Sequence, residues 1–181
     1  TAVENSNKQI AKLLIEYPKT DINFANKNHQ TALSIAVAKQ QKEIVDLLIK
    51  NEKFDPIKSN INYAFFIADD EIAQLLITVN ELNVNCLMYR EINQKKTPYL
   101  KSSMQDSCMF ESALEYALDK NYLNKIKLII SHPSFDPVKS KVNELVFYDL
   151  CMKNIEIFKQ FIELIDNNVN ILSYEDIKLD L

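Results

Sequence analysis

FDPIKSNIN, residues 54–62, returns as FDPVKSKVN at residues 135–143. Six of the nine positions are identical, and two of the other three exchange Ile for Val. The two copies lie 81 residues apart in a chain of 181. Sliding the chain on itself by that offset places TALSIAVAKQ (31–40) on SALEYALDKN (112–121) and DLLIKNEKFDP (46–56) on KLIISHPSFDP (127–137), without a gap from residue 31 to residue 62. Four residues of further shift align EIAQLLI (71–77) with EIFKQFI (156–162). A shorter period runs inside this one. LLIEYPKTDIN (13–23), LLIKNEKFDP (47–56), LLITVNELNVN (75–85), LIISHPSFDP (128–137) and a shortened FIELIDNNVN (161–170) each join an apolar stretch, a short spacer and an Asp or Asn. The long period therefore holds two units of roughly 40 residues, the length range of stacked solenoids.

Each unit reads as two helices. Leu33, Ile35, Ala36 and Val37 give a short apolar helix, with Thr31 placed to cap it. Gln40 and Gln41 make a break, and Ile44, Val45, Leu47, Leu48 and Ile49 follow at helical spacing. Leu114, Ala117 and Leu118, then Ile126, Leu128, Ile129 and Ile130, are their counterparts. The Asp-Pro steps at 55–56 and 136–137 are turns, because Pro fixes φ and pushes the residue before it out of the helical region. FDPxKS is thus the exit from one helical pair and the entry to the next, with Ser59 or Asn60 as the expected cap.

Composition narrows the function classes. The net charge of −4 divides as −1 over residues 1–90 and −3 over 91–181, so neither half is a basic arm, which argues against nucleic acid as a partner. Apolar runs are only a few residues long, so no bilayer span is expected. The polar start, TAVENSNKQI, has neither a signal-peptide core nor an initiator Met, and reads as a fragment of something longer. Cys86, Cys108 and Cys151 are too sparse for a disulfide framework or a zinc site, and a reducing, cytoplasmic location is the simplest reading. The chain has no glycine. Asn and His are expected to take the left-handed turn positions that glycine usually fills.

TALSIA (31–36) resembles the ankyrin-repeat signature Thr-Pro-Leu-His-x-Ala through Thr31, Leu33 and Ala36, with Ala32 and Ser34 in place of Pro and His. EIVDLLI (43–49) is similar to that family's second helix, and DIN (21–23) and NVN (83–85) to the Asp-Val-Asn after it. His29, Gln40 and Asn51 stand where the family has Gly. The pattern looks like a divergent array of the kind found in some unicellular eukaryotes. The resemblance implies an all-α, ankyrin-like helical-repeat solenoid with short or missing β-hairpin fingers. The units would be a partial one at 1–30, then 31–60, 61–109, 110–141 and 142–170, with a C-terminal cap at 171–181. Units 61–77 and 142–165 lack the signature and are expected to lack the finger. Residues 86–109 form an insertion where another finger should be.

The resemblance also implies binding without catalysis: a monomeric interaction module or scaffold that takes a protein partner on its concave and finger face, with no cofactor, metal, nucleic acid or membrane. By position, the contact candidates are Lys27, Asn28 and Gln30 in a finger, Ala38 and Lys39 after a first helix, and Asp119 and Lys120 in the later unit. The insertion adds Tyr89, Arg90, Lys95, Lys96 and Tyr99, and Arg and Tyr are enriched in binding hot spots. A helical spacer between other domains is the alternative function, and an enzyme a more distant one. His29 and His132 are the only histidines, and turn positions account for both. Asp69, Asp70 and Glu71 could be half of a divalent-metal site, but negative charge at the start of a helix is the more ordinary use. Cys86 and Cys108 flank the insertion, and Cys151 reads as a buried small hydrophobe. Tyr63, Phe65, Phe66, Phe147 and Tyr148 are expected to pack between units.

Overall fold

The structure, a computed structural model, describes residues 3, 7–89, 110–136, 139, 140, 155, 156, 159 and 163. Among them the order is α1 (Lys8–Glu16), α2 (Ala32–Ala38), α3 (Lys42–Ile49), α4 (Ile61–Ile67), α5 (Asp70–Leu76), β1 (Leu87–Tyr89), β2 (Phe110–Ser112), α6 (Ala113–Asp119) and α7 (Leu123–Ile130). The helices lie in two layers. α2, α4 and α6 pack in series, and so do α1, α3, α5 and α7, while each first helix packs on its own second helix: α2 on α3, α4 on α5, α6 on α7. Among the described residues no central core gathers the helices. One apolar seam, with Leu33, Ile44, Leu48, Phe65, Ile72, Leu76, Leu114 and Ile126 at its middle, runs between the layers. Each unit is stabilised by its neighbours, as in other solenoids.

The helix starts follow local chemistry. Thr31 Oγ1 accepts the Ser34 N–H at 3.1 Å, and Ser34 Oγ accepts the Thr31 N–H at 3.0 Å. Ser112 and Glu115 make the same reciprocal pair at 3.1 and 2.7 Å. Both are capping boxes, 81 residues apart, and Ser34, which replaces the family's His, supplies half of the first. Asp69 caps α5 through the Ile72 N–H at 2.9 Å, so the acidic cluster begins a helix as its charge favours.

Without glycine, four of the described residues adopt φ near +55°: His29, Gln40, Asn60 and Asn121. Gln40 and Asn121 hold equivalent places between first and second helices. The next N–H in each case returns to the first helix, Gln41 to Ala36 O and Tyr122 to Ala117 O, both at 2.8 Å. That six-to-one closure is the usual reason for a left-handed residue after a helix. Asn51 and His132, expected there as well, are not left-handed. Their side chains close the turn instead: Asn51 Oδ1 accepts the Lys53 N–H at 3.0 Å, and His132 Nδ1 accepts the Ser134 N–H at 3.2 Å. Asn60 stands at the α4 N-cap, but its left-handed backbone leaves the side chain without a cap bond.

The repeated junction has a partner in the unit before it. Asp55 Oδ1 accepts the N–H groups of Ile57 and Lys58, and Asp136 Oδ1 accepts that of Lys139. The Lys58 N–H, then the Lys58 side chain, holds the Asp55 carboxyl below its ordinary range. Asn23 Oδ1 accepts the Asp55 N–H at 3.0 Å and the Ser59 hydroxyl at 2.7 Å, while its Nδ2 donates to Lys53 O at 2.7 Å. Asn85 does the same at 2.8 Å each to the Asp136 N–H, the Ser140 hydroxyl and Ser134 O. Ser59, which is buried, thus serves this inter-unit clasp and not a helix cap, and the buried Ser140 makes the same contact.

The fingers differ from unit to unit. Residues 54–60 run through turns into α4 with no strand. In the next unit β1 and β2 pair antiparallel, Leu87 with Ser112 and Tyr89 with Phe110. A finger is therefore present there, and the residues expected as an insertion at 86–109 begin one residue before its first strand and contain all of it. At the other end, α1 leaves Ile10, Leu13, Leu14 and Tyr17 exposed, with Phe24 beyond it.

Candidate functional site

α2 and α4 lie side by side in the first-helix layer, and a shallow cleft of about 170 Å³ opens between them. α2 contributes Ser34, Ile35 and Ala38, and α4 contributes Tyr63 and Ile67. Gln30 closes the finger end and Lys39, the α2 C-cap, the other. The capping box pins Ser34 at one side of the cleft. Tyr63 departs from the expected core packing: it is 39% exposed, whereas Phe65 and Phe66 are buried. Helical spacing separates Tyr63 from Phe65, which lies about 200° around α4 at roughly 100° per residue, and places it one turn from Ile67 on the cleft side.

Of the predicted contact residues, Gln30, Ala38 and Lys39 come together in this cleft. Lys27 and Asn28 are exposed in the same finger, whose turn is closed by the Asn26 N–H to Gln30 O at 2.9 Å and by the Asn28 N–H to Asn26 Oδ1 at 2.9 Å. Asp119 and Lys120 are exposed at the end of α6 and pair with each other at 3.3 Å. Tyr89 ends β1. Arg90, Lys95, Lys96 and Tyr99 lie outside the described residues, as do Cys108, Phe147, Tyr148 and Cys151. Sequence reasoning missed Tyr63, Ile35 and Ile67 as lining residues.

It also passed over Lys125. The 81-residue offset places Lys125 on Ile44, a core position, and the side chain is fully buried. Its Nζ donates to Phe66 O at 2.7 Å and Ala68 O at 2.9 Å, the carbonyls that end α4, and its backbone N–H donates to Asp70 Oδ1 at 2.8 Å. The Phe65 and Tyr116 rings flank the amine at 5.1 and 5.4 Å. Burial pushes the amine down to about 7, against the opposing pull of Cys86, Asp70 and Asp69. Burial likewise pushes the thiol of Cys86, a buried free cysteine, up to about 11. Lys125 ties the second pair to the third, and it is too enclosed to meet a partner.

Among the described residues no three His, Cys, Asp or Glu side chains converge as a metal site, and no helix is long and apolar enough to cross a membrane. His132 Nδ1 lies 2.8 Å from Ser134 Oγ within its own turn.

A family model for ankyrin repeats matches residues 1–171 in three copies. The chain belongs to the ankyrin-repeat family. Ankyrin repeats are generally protein–protein interaction modules and typically non-catalytic. No curated protein and no solved structure matches the chain. The two-layered order of first and second helices and the capping boxes at Thr31 and Ser112 are how this ankyrin array builds, without glycine, the face its fingers border.

Proposed function

We propose that this ankyrin array is a non-catalytic recognition module or scaffold that binds a protein partner on the finger-side face of α2, α4 and α6. The observation that carries the reading is the α2–α4 cleft: an apolar floor with an exposed tyrosine, placed where finger and first helix meet. Lys27, Asn28, Gln30, Lys39, Asp119 and Lys120 form the polar surround of this contact surface. Tyr89, Arg90, Lys95, Lys96 and Tyr99 extend it from the second finger. The chain acts as a monomer inside the cell, and recognition rests on shape and charge with no bond made or broken.

Affinity capture from cell extract tests this with three forms of the chain. One is unaltered, one carries Ala38→Arg, and one has residues 90–109 replaced by the two-residue turn Asn-Gly, which suits a tight hairpin between β1 and β2. Ala38 is exposed at the end of α2, so the arginine fills the cleft without entering the seam. The expected result is a protein retained by the unaltered chain and lost with Ala38→Arg, at an unchanged melting temperature. Loss with the turn variant as well assigns the second finger to the contact. Equal retention by all three forms overturns the finger-side reading.

A further inference from the structure

We infer that the partner presents an acidic segment to the α2–α4 cleft: one aliphatic or aromatic side chain seated on Ile35 and Ile67, with a neighbouring carboxylate on Lys39 or Lys27. This rests on the interaction reading above and names the chemistry of the partner.

Charge is segregated in this array. Residues 22–41 and 59–68, which hold the finger, α2, α4 and both walls of the cleft, contain two lysines and no carboxylate. The chain as a whole is acidic, at −4. Around the cleft the acids lie on the other layer, with Glu43 and Asp46 on α3 and Asp69, Asp70 and Glu71 at α5, while on α6 Glu115 closes its own capping box and Asp119 pairs with Lys120. Several of these already hold cations of that layer: Glu43 binds Lys8 at 2.9 Å, Glu71 binds Lys42 at 3.1 Å and Asp46 binds Lys50 at 2.8 Å. Among the described residues no carboxylate lies within ion-pair distance of Lys27 or Lys39. A basic segment would be drawn to the second-helix layer and an acidic one to the cleft.

Size and hydrogen bonding agree. A volume of about 170 Å³ is below the ~300–1,000 Å³ of small-molecule pockets and suits a single side chain. Asn26 Nδ2 donates to Gln30 Oε1 at 3.0 Å, which occupies the acceptor and leaves the Gln30 amide nitrogen as a donor at the rim. The rim thus offers donors and positive charge, from Gln30 and Lys39, around an apolar floor. Two lysines are too few for a nucleic-acid backbone, which takes a basic stripe.

A random dodecapeptide library displayed on phage, selected against the whole chain, supplies the probes. Enriched peptides are then titrated into isotope-labelled chain and followed by amide chemical shifts. The expected consensus is a Leu, Ile or Phe with Asp or Glu within a few positions, and shifts centred on residues 34–39 and 63–67. Lys39→Glu should weaken these peptides about tenfold, equivalent to roughly 1.4 kcal/mol, and Tyr63→Ala should weaken them as well. Both residues are exposed, so neither substitution threatens the fold. Peptides without acidic bias that shift the same residues, lose affinity with Tyr63→Ala and ignore Lys39→Glu overturn the acidic-partner inference and leave the interaction reading standing. No enrichment, or shifts only away from the cleft, overturns both.

Discussion

Lys125→Ala is expected to destabilise the array by about 3–5 kcal/mol, a large share of the ~5–15 kcal/mol that holds a domain together. Two losses combine. The buried four-carbon stem leaves a cavity in the seam, and Phe66 O and Ala68 O lose the donor that satisfies them. Lys125→Met separates the two. It keeps the stem volume and removes only the donor, so its cost should fall to about 1–3 kcal/mol, the range for orphaned buried carbonyls. Urea unfolding of the three forms reads the order, and a Met variant as damaged as the Ala variant would make the hydrogen bonds the whole effect.

The same amine makes stability depend on pH. Its folded value, about 7, lies below the unfolded value near 10.4, so the unfolded chain binds the extra proton between them. A depressed cation of this kind costs the fold least above the unfolded pKa, and the cost grows as pH falls toward 7. Stability should therefore rise from about pH 7 to about pH 8.5 by roughly 1.5–2 kcal/mol on this account. Cys86 works the other way, since its folded value is raised to about 11, but its contribution is lost only above the ordinary thiol range near 9. The chosen window avoids it. Tyr116, raised by burial, also titrates above the window. Lys125→Met should abolish the rise, and an equal rise in that variant would show that the amine is charged in the fold.

Lys125 also marks where the sequence was legible and where it was not. The 81-residue offset alone puts it on Ile44, so an unusual core residue was there to be read. Lysine at a helix start reads as solvated, however, and nothing local reveals the two carbonyls at the end of α4 that receive it. The helices and their caps were legible because they are local: Thr31 and Ser112 bond within three residues, and the apolar spacing sets each face. Left-handed turns were half legible. His29 and Gln40 occupy glycine positions and take glycine's φ, while Asn51 and His132 close their turns through the side chain, an equivalent solution that composition does not distinguish. Tyr63 was misread because an aromatic next to Phe65 and Phe66 suggests a core stripe, whereas it lies opposite Phe65 and lines the cleft with Ile67, one turn on.

Asn85→Ala should cost about 2–4 kcal/mol, because one buried side chain carries three hydrogen bonds across the junction. The reason FDPxKS recurs is here. Its Asp supplies the N–H and its Ser the hydroxyl that the preceding unit's Asn receives. The partner asparagines, 23 and 85, are only 62 apart, since the longer second finger falls between Asn85 and its junction. That broken spacing hid the clasp from a gapless comparison. Asn85→Asp tests the geometry: a carboxylate still accepts from Asp136 N–H and Ser140, yet faces Ser134 O with no donor, so most of the loss should remain. Ser140→Ala alone removes one bond. Combined with Asn85→Ala it should add less than its own cost, because the two share that bond. In an array where each unit leans on its neighbours, loss of the clasp should also uncouple the last units. Amide exchange should then quicken more in residues 113–130 than in 31–49, and Asn23→Ala should reverse that order. Uniform exchange in both variants, with a cost under about 0.5 kcal/mol, would assign the coupling to the apolar seam alone.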